Sequence, residues 1–185
     1  MTLLLTEVAS RVPFPLFVLP AGWWNGPVFV GDVRSVQGAV RAVQLYYLSP
    51  NGDHGFVLSH LAPAEAEAGD PLRLNDHLAS FVSHLDPRYL QQRTRRAKGQ
   101  AFTLKDFSHR DEIASIAGHP TAVRMLSHRT LTLRAARTAI VSNGRAVDLC
   151  LAGWRQLVED ALLALVPLTA EHARRFDLDA AAHGA

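Results

Sequence analysis

The stretch LTLRAARTAIVSNGRAVDLCL (residues 131–151) decides the fold. Two runs of strand-forming residues flank Asn143-Gly144, a pair that favours a two-residue type I′ turn because both positions require a positive φ. A loop of two residues fixes the register of the predicted hairpin. The opposed residues are Ile140 with Val147, Thr138 with Leu149 and Ala136 with Leu151. The other face of the hairpin carries Arg137, Ala146, Asp148 and Cys150.

A second hairpin is predicted from residues 39–48 and 56–61, which flank the turn formers Ser49-Pro50-Asn51-Gly52-Asp53. The first of its strands is apolar on both faces. One side carries Val43, Leu45 and Tyr47, and the other carries Tyr46 and Leu48. A strand of this kind needs cover on both faces, from helices or from a partner.

Helical patterns indicate what covers the sheet. Asn75 is a good N-cap for a helix whose apolar residues Leu78, Phe81, Val82 and Leu85 fall at helical spacing. A longer apolar stripe runs from Trp154 to Leu165 and stops at Pro167, so this helix is expected to pack on the sheet. Residues 170–176 are expected to form a short helix, followed by a frayed, alanine-rich end.

Other segments are less regular. Three prolines between Pro13 and Trp24 exclude a helix and predict an opening edge strand. Polar residues 108–112 and the following residues 113–126, which are broken at Gly118-His119-Pro120, are interpreted as a loop and a further strand.

These elements predict an α+β fold, an antiparallel β-sheet with packed helices and a closing C-terminal amphipathic helix. A chain of 185 residues suits one core. We therefore expect an N-terminal extension (1–12), a single α+β domain (13–168) and a C-terminal helix or tail (169–185).

The composition of the chain limits the classes of function that are possible. The formal net charge is only +2, which is too small to imply nucleic acid or an anionic membrane as the partner. The single cysteine, Cys150, excludes an internal disulfide and a cysteine-based zinc cluster, and favours a reducing compartment. No apolar run approaches the roughly 20 residues that span a bilayer, and no leader is visible, so a cytoplasmic protein is expected.

One further set of residues spans most of the chain, residues 13–168. It consists of Phe17, Leu19, Pro20, Gly22 and Trp23, the helix at 78–85, Ile116, Gly118 and Ala122, the Asn143-Gly144 hairpin and the helix from Trp154. In this order, these elements resemble the Mog1/PsbP-like superfamily, and within it the DcrB-like group. The resemblance implies an antiparallel sheet with packed helices that binds rather than catalyses. One branch holds hydrophobic segments of type VI secretion effectors, often as a dimer, and another consists of exported lipoproteins. The lack of a leader and of an N-terminal cysteine favours the cytosolic chaperone or adaptor branch.

No residue pattern indicates catalysis, a cofactor or a metal. His77 and His84 share a helix face but lie about 10 Å apart, too far to bind one ion without other ligands. His109-Arg110-Asp111 lacks a nucleophile and is interpreted as a solvent-exposed loop. Asp148, beside Cys150, is expected to raise the pKa of that thiol rather than activate it.

The leading hypothesis is a non-enzymatic protein-binding module, a chaperone or adaptor for an apolar segment of a partner, and a homodimer. Its predicted partner-binding residues are Trp24, Tyr46, Leu48, Phe56 and Leu58. An alternative is nucleic-acid association through the basic segment 88–98, with phosphate contacts from Arg93, Arg95, Arg96 and Lys98. A second alternative is a cryptic hydrolase or metal enzyme whose residues meet only in space.

Overall fold

The computed structural model describes residues 3–51, 53–63, 81–82, 107–116, 118–128 and 131–183. These residues form both helices and strands. In chain order they are α1 (Leu5–Ala9), β1 (Phe17–Val18), β2 (Val28–Val36), β3 (Ala39–Leu48), β4 (Gly55–Leu61), β5 (Ser108–Ile116), β6 (His119–His128), β7 (Leu131–Ser142), β8 (Arg145–Trp154), α2 (Arg155–Ala164), β9 (Val166–Pro167) and α3 (Ala170–Ala182). Residues 81–82 are also helical.

Seven of the strands form one antiparallel sheet in the order β2-β3-β4-β8-β7-β6-β5. The predicted α+β fold is therefore confirmed. The hairpin of β7 and β8 has the predicted register, with Ile140 opposite Val147 and Ala136 opposite Leu151. Asn143 and Gly144 have φ values of 52° and 71°, as a type I′ turn requires.

Both faces of the sheet are apolar, as the sequence of β3 predicts. We call the side that carries Tyr47 and Leu58 the helical face, because α1, α2 and α3 pack on it. Val158 and Ala161 of α2 and Phe176 of α3 are buried in the same cluster as the sheet residues. The predicted packing of the helix after Trp154 on the sheet is thus confirmed.

The side that carries Tyr46, Val57 and Cys150 is called the opposite face. It has its own buried cluster, which includes Leu131 and Leu133 of β7. Three residues outside the seven strands belong to this cluster. They are Phe81 (0% exposed), Val82 (9%) and Phe107 (7%). Phe81 and Val82 belong to the predicted middle helix, whose remaining residues lie outside the described ranges.

The ends of several elements differ from the prediction. Only Phe17 and Val18 of the proline-rich segment form a strand, and it pairs with β9 rather than with an edge of the sheet. That edge of the sheet is instead β2, a strand that was not predicted. The polar residues 108–112 belong to β5, where the carboxylates of Asp111 and Glu112 pair with Arg124 of β6 and Arg134 of β7. Helix α3 extends to Ala182, since Ala180 is buried and holds its last turn against the core.

The limits at residues 12–13 and 168–169 stay predictions. The segments outside them nevertheless pack on the same core, because Leu5, Val8 and Phe176 are buried in the cluster of the helical face. The carboxylate of Asp177 in α3 accepts hydrogen bonds from the amides of Leu5 (2.6 Å) and Thr6 (3.1 Å).

A buried histidine ties β1 to the sheet. His60 of β4 is 0% exposed, and its Nε2 lies 2.9 Å from the amide nitrogen and 3.0 Å from the carbonyl oxygen of Phe17. The tautomer decides which of these two groups the neutral ring bonds. Burial lowers the pKa of His60 to about 4, against the opposing effect of hydrogen bonds to the main chain of Val43 and Phe17. The ring is therefore neutral in the folded protein near pH 7.

This burial makes stability depend on pH. The unfolded chain binds a proton at His60 below about pH 6.5, whereas the folded chain binds it only near pH 4. The folded state therefore loses stability as the pH falls through this window, and His60 alone accounts for about 3 kcal/mol of that loss. Urea unfolding at pH 7 and pH 4.5 should show the loss. His60→Gln keeps a hydrogen-bonding group and should reduce the loss, whereas exchange of the exposed His183 for glutamine should not. Equal losses in the two variants would contradict the assignment.

Candidate functional site

The segment Pro20-Ala21-Gly22-Trp23-Trp24 forms a tight turn on the rim of the sheet. The amide of Trp23 donates to the carbonyl of Pro20 at 3.2 Å, and Gly22 has a φ of 78°, which L-residues with side chains rarely adopt. The turn brings the two indole rings side by side, with ring centroids 6.4 Å apart. Both rings also contact the edge of Phe56, at 6.3 and 6.0 Å.

Trp24 is the predicted partner-binding residue that stays partly exposed beside a cleft. Its Nε1 donates to the carbonyl oxygen of Leu48 at 3.1 Å, and its ring lies 5.9 Å from that of His54. Gly26 permits this approach, because a Cβ there would come within 2.8 Å of the indole nitrogen. The indole is thus oriented from both sides while part of its surface stays accessible.

A cleft, here called the Trp24 cleft, lies between this turn and helix α3. It is small and open to solvent. Its lining residues are Val18, Leu19, Pro20, Ala21, Gly22, Trp24, Val28, Tyr47, His172, Arg175, Phe176 and Asp179. The floor is apolar and aromatic, because Tyr47 and Phe176 pack edge to face there at 6.0 Å.

The polar groups of the cleft have structural partners. The Tyr47 hydroxyl accepts a hydrogen bond from the amide of Leu19 at 3.3 Å, and burial raises the pKa of this phenol above its usual range. Arg175 pairs with Asp179 one turn later, at 3.1 Å. Nδ1 of His172 lies 3.2 Å from the carbonyl oxygen of Pro167. The cleft thus combines an aromatic floor with a charged rim.

The other predicted partner-binding residues lie in the core. Phe56 and Leu58 are 0% exposed and are covered by residues of the helical face. Tyr46 is 2% exposed, stacks on Phe29 at 4.9 Å and donates its hydroxyl hydrogen to Gln44 at 3.1 Å. Leu48 is partly buried against the cluster of the opposite face. A partner would not reach Tyr46, Phe56 or Leu58 in this structure, because the chain itself covers both faces of the strands.

The remaining candidates from the sequence are the basic segment, the two histidines of the middle helix and Cys150. The four cations Arg93, Arg95, Arg96 and Lys98, as well as His77 and His84, lie outside the described residues. The residues that the structure describes hold no group of three or more His, Cys, Asp or Glu side chains placed to bind a metal. For Cys150, the structure gives the burial and the direction of the pKa shift. This residue is 0% exposed, and its pKa is raised first by burial and also by Asp148, although Arg137 acts in the opposite sense.

An array of ion pairs, which no sequence pattern had indicated, runs across β5 to β8. Arg124 binds Asp111 through two bonds, Nε to Oδ1 at 2.7 Å and Nη2 to Oδ2 at 2.6 Å. Arg137 donates to Oδ2 of Asp148 from Nε (2.9 Å) and Nη2 (2.6 Å). The hairpin register could have revealed this second pair, because it puts both residues on one face.

The ion pairs of this array lie on both faces of the sheet. Arg134, on the helical face, pairs with Glu112 and with Glu159 of α2. On the opposite face, the guanidinium of Arg124 lowers the pKa of Asp111 by hydrogen bonding and by its charge. His109-Arg110-Asp111 is therefore part of a paired strand rather than a loop. These ion pairs explain why β5 contains charged residues. The explanation requires no catalytic role for them.

The described residues thus define an antiparallel α+β protein with a small aromatic cleft and an array of ion pairs. None of their helices has both the length and the apolar composition needed to cross a bilayer.

No family model matches the chain, and no curated protein matches it. Among solved structures it is similar to LpqN of Mycobacterium tuberculosis, which is involved in cell envelope biogenesis. The alignment has 14% sequence identity and a TM-score of 0.30, and covers 90% of this chain and 83% of that one. A likeness at this level shows neither a common family nor a common function.

Proposed function

We propose that this protein is a cytosolic, non-enzymatic protein-binding module, a chaperone or adaptor of the Mog1/PsbP-like superfamily and its DcrB-like group. Its contact site is the Trp24 cleft, which receives an apolar side chain from an extended segment of a partner protein. The observation that carries the proposal is a partly exposed tryptophan, fixed in orientation, beside an open cleft with a charged rim.

The chemistry of the cleft favours a protein partner. Tryptophan, tyrosine and arginine dominate the binding energy of protein interfaces, and Trp24 and Arg175 both line the cleft. Small-molecule sites usually enclose about 300–1,000 Å³ and bury most of the ligand. This cleft is too small and too open for that, but it suits one side chain. The charged groups on its rim can bond to the main chain of the segment that carries the side chain.

Site-specific photo-crosslinking tests the proposal. A photoreactive amino acid at Ala21, which is exposed in the cleft, should crosslink a partner in the native cell. The same group at Arg145, which is exposed in the turn between β7 and β8, should not. Purified partner should then bind Trp24→Ala at least about tenfold more weakly than the original protein, as for a central interface residue.

Trp154 provides a matched control. It is also partly buried, and its Nε1 also donates to a main-chain carbonyl, that of Asp53 at 3.1 Å, but it does not line the cleft. Trp154→Ala should leave the affinity within about twofold of the original value. The proposal fails if Ala21 and Arg145 crosslink the same proteins, if Ala21 crosslinks none, or if Trp24→Ala binds like the original protein.

A further inference from the structure

The two outer strands of the sheet differ in regularity. β2 pairs with β3 through two register irregularities, between Val30 and Val33 and between Arg34 and Ser35. Bulges of this kind protect a sheet edge from a further strand. β5 has none, because all nine of its residues pair with β6 in one continuous register. Among the described strands, β5 is thus the edge with an undistorted row of main-chain donors and acceptors on its outer side.

Ile113 lies near the middle of β5. Its side chain is 76% exposed, the highest value among the large apolar residues of the described chain. It points to the opposite face, since its partners across the sheet are Ala122, then Arg137, then Cys150. The neighbouring charged residues of β5 are already paired within the chain, whereas Ile113 presents apolar surface to water.

We infer that β5 is a dimerisation edge, on which β5 of a second copy of this chain adds antiparallel and centred on Ile113. The two sheets then join into one, with the helical faces on the same side. This inference concerns a different surface from the Trp24 cleft and does not depend on the proposed function.

Charge and polarity select this register. Opposed residues in a continuous antiparallel sheet share a face, so each arrangement pairs one central residue with its own copy. A centre at Arg110, Asp111 or Glu112 would oppose like charges, which destabilises a sheet. A centre at Ala114 uses only five residues of β5 and puts Ile113 opposite a serine.

The register centred on Ile113 avoids these faults. It uses seven residues, 110–116, and places the two exposed isoleucines against each other. Its remaining pairs are Glu112 with Ala114, Asp111 with Ser115 and Arg110 with Ile116. None of them opposes like charges. The second copy is favoured over an unrelated strand because β5 is complementary to itself in this register.

Sedimentation equilibrium of the purified chain tests the inference. Because one added strand makes a small interface, we expect a reversible dimer over a range on the order of 1–300 µM. Ile113→Asp should weaken dimerisation at least about tenfold, since it opposes two carboxylates at the centre. Val141→Asp is the matched control. Val141 is 71% exposed on the same face but lies on β7, so this change should leave the dimer unaltered.

Cysteine crosslinking tests the register. The native Cys150 is 0% exposed and does not interfere. Ile113→Cys should form a covalent dimer on oxidation, because opposed Cβ atoms lie about 5 Å apart. Ser115→Cys should not, because the copies of residue 115 are offset by four residues, about 13 Å. The inference is overturned by a chain that stays monomeric throughout the range, by a dimer that Ile113→Asp leaves intact, or by equal crosslinking at both positions.

Discussion

Replacing Arg137 with alanine is expected to destabilise the fold by about 3–5 kcal/mol, because it leaves a buried carboxylate without its cation. The side chains of Arg137 and Asp148 are 4% and 8% exposed. Oδ2 of Asp148 accepts both guanidinium bonds, so one substitution removes both. The pair joins the neighbouring inner strands β7 and β8, where water cannot easily replace the lost contacts.

The double variant Arg137→Met with Asp148→Leu is the control for this prediction. It removes both charges and fills the same space with apolar groups, which is often neutral or stabilising. Urea unfolding should therefore give a double variant that is far more stable than Arg137→Ala alone. If the two are equally destabilised, the loss comes from packing and not from the unpaired carboxylate.

Replacing Phe56 with alanine is expected to cost about 3–5 kcal/mol, the usual range for a buried phenylalanine. The ring is 0% exposed, stacks on Tyr47 at 4.8 Å and supports both Trp23 and Trp24. Loss of the ring leaves a cavity below the Trp24 cleft. The midpoint of thermal or urea unfolding measures the effect directly.

Leu163→Ala is the matched control, since this side chain is 63% exposed on α2. It should change stability by less than about 0.5 kcal/mol. A Phe56→Ala protein that is as stable as the original would show that Phe56 does not belong to the core. It would restore the hypothesis of a partner-facing residue.

The parts of the fold that depend on local chemistry could be predicted. The Asn143-Gly144 turn fixes its own register, because a two-residue loop and positive φ values leave one arrangement. The apolar stripe of α2 indicates its buried side for a similar reason, since helical spacing aligns Val158, Ala161 and Leu162.

The rest depends on contacts between distant parts of the chain. Residues 108–112 look like a loop because they are charged, and only the cross-strand partners Arg124 and Arg134 explain their place in β5. The apolar sides of β3 and β4 indicate that cover is needed but not which molecule supplies it. The structure covers Tyr46, Phe56 and Leu58 with the chain itself, so the candidate site moves to Trp24, whose cleft is completed by a helix about 150 residues later.

Amide hydrogen exchange tests most directly whether this chain closes both faces of its own sheet. In a dilute solution of the purified protein, where β5 has no second copy, we expect the amides of β4 and β8 to exchange only through global unfolding. Amides of the outer strand β5 should exchange faster. Rapid exchange throughout β4 that slows only when another molecule is added would contradict the account, because the cover would then come from a partner.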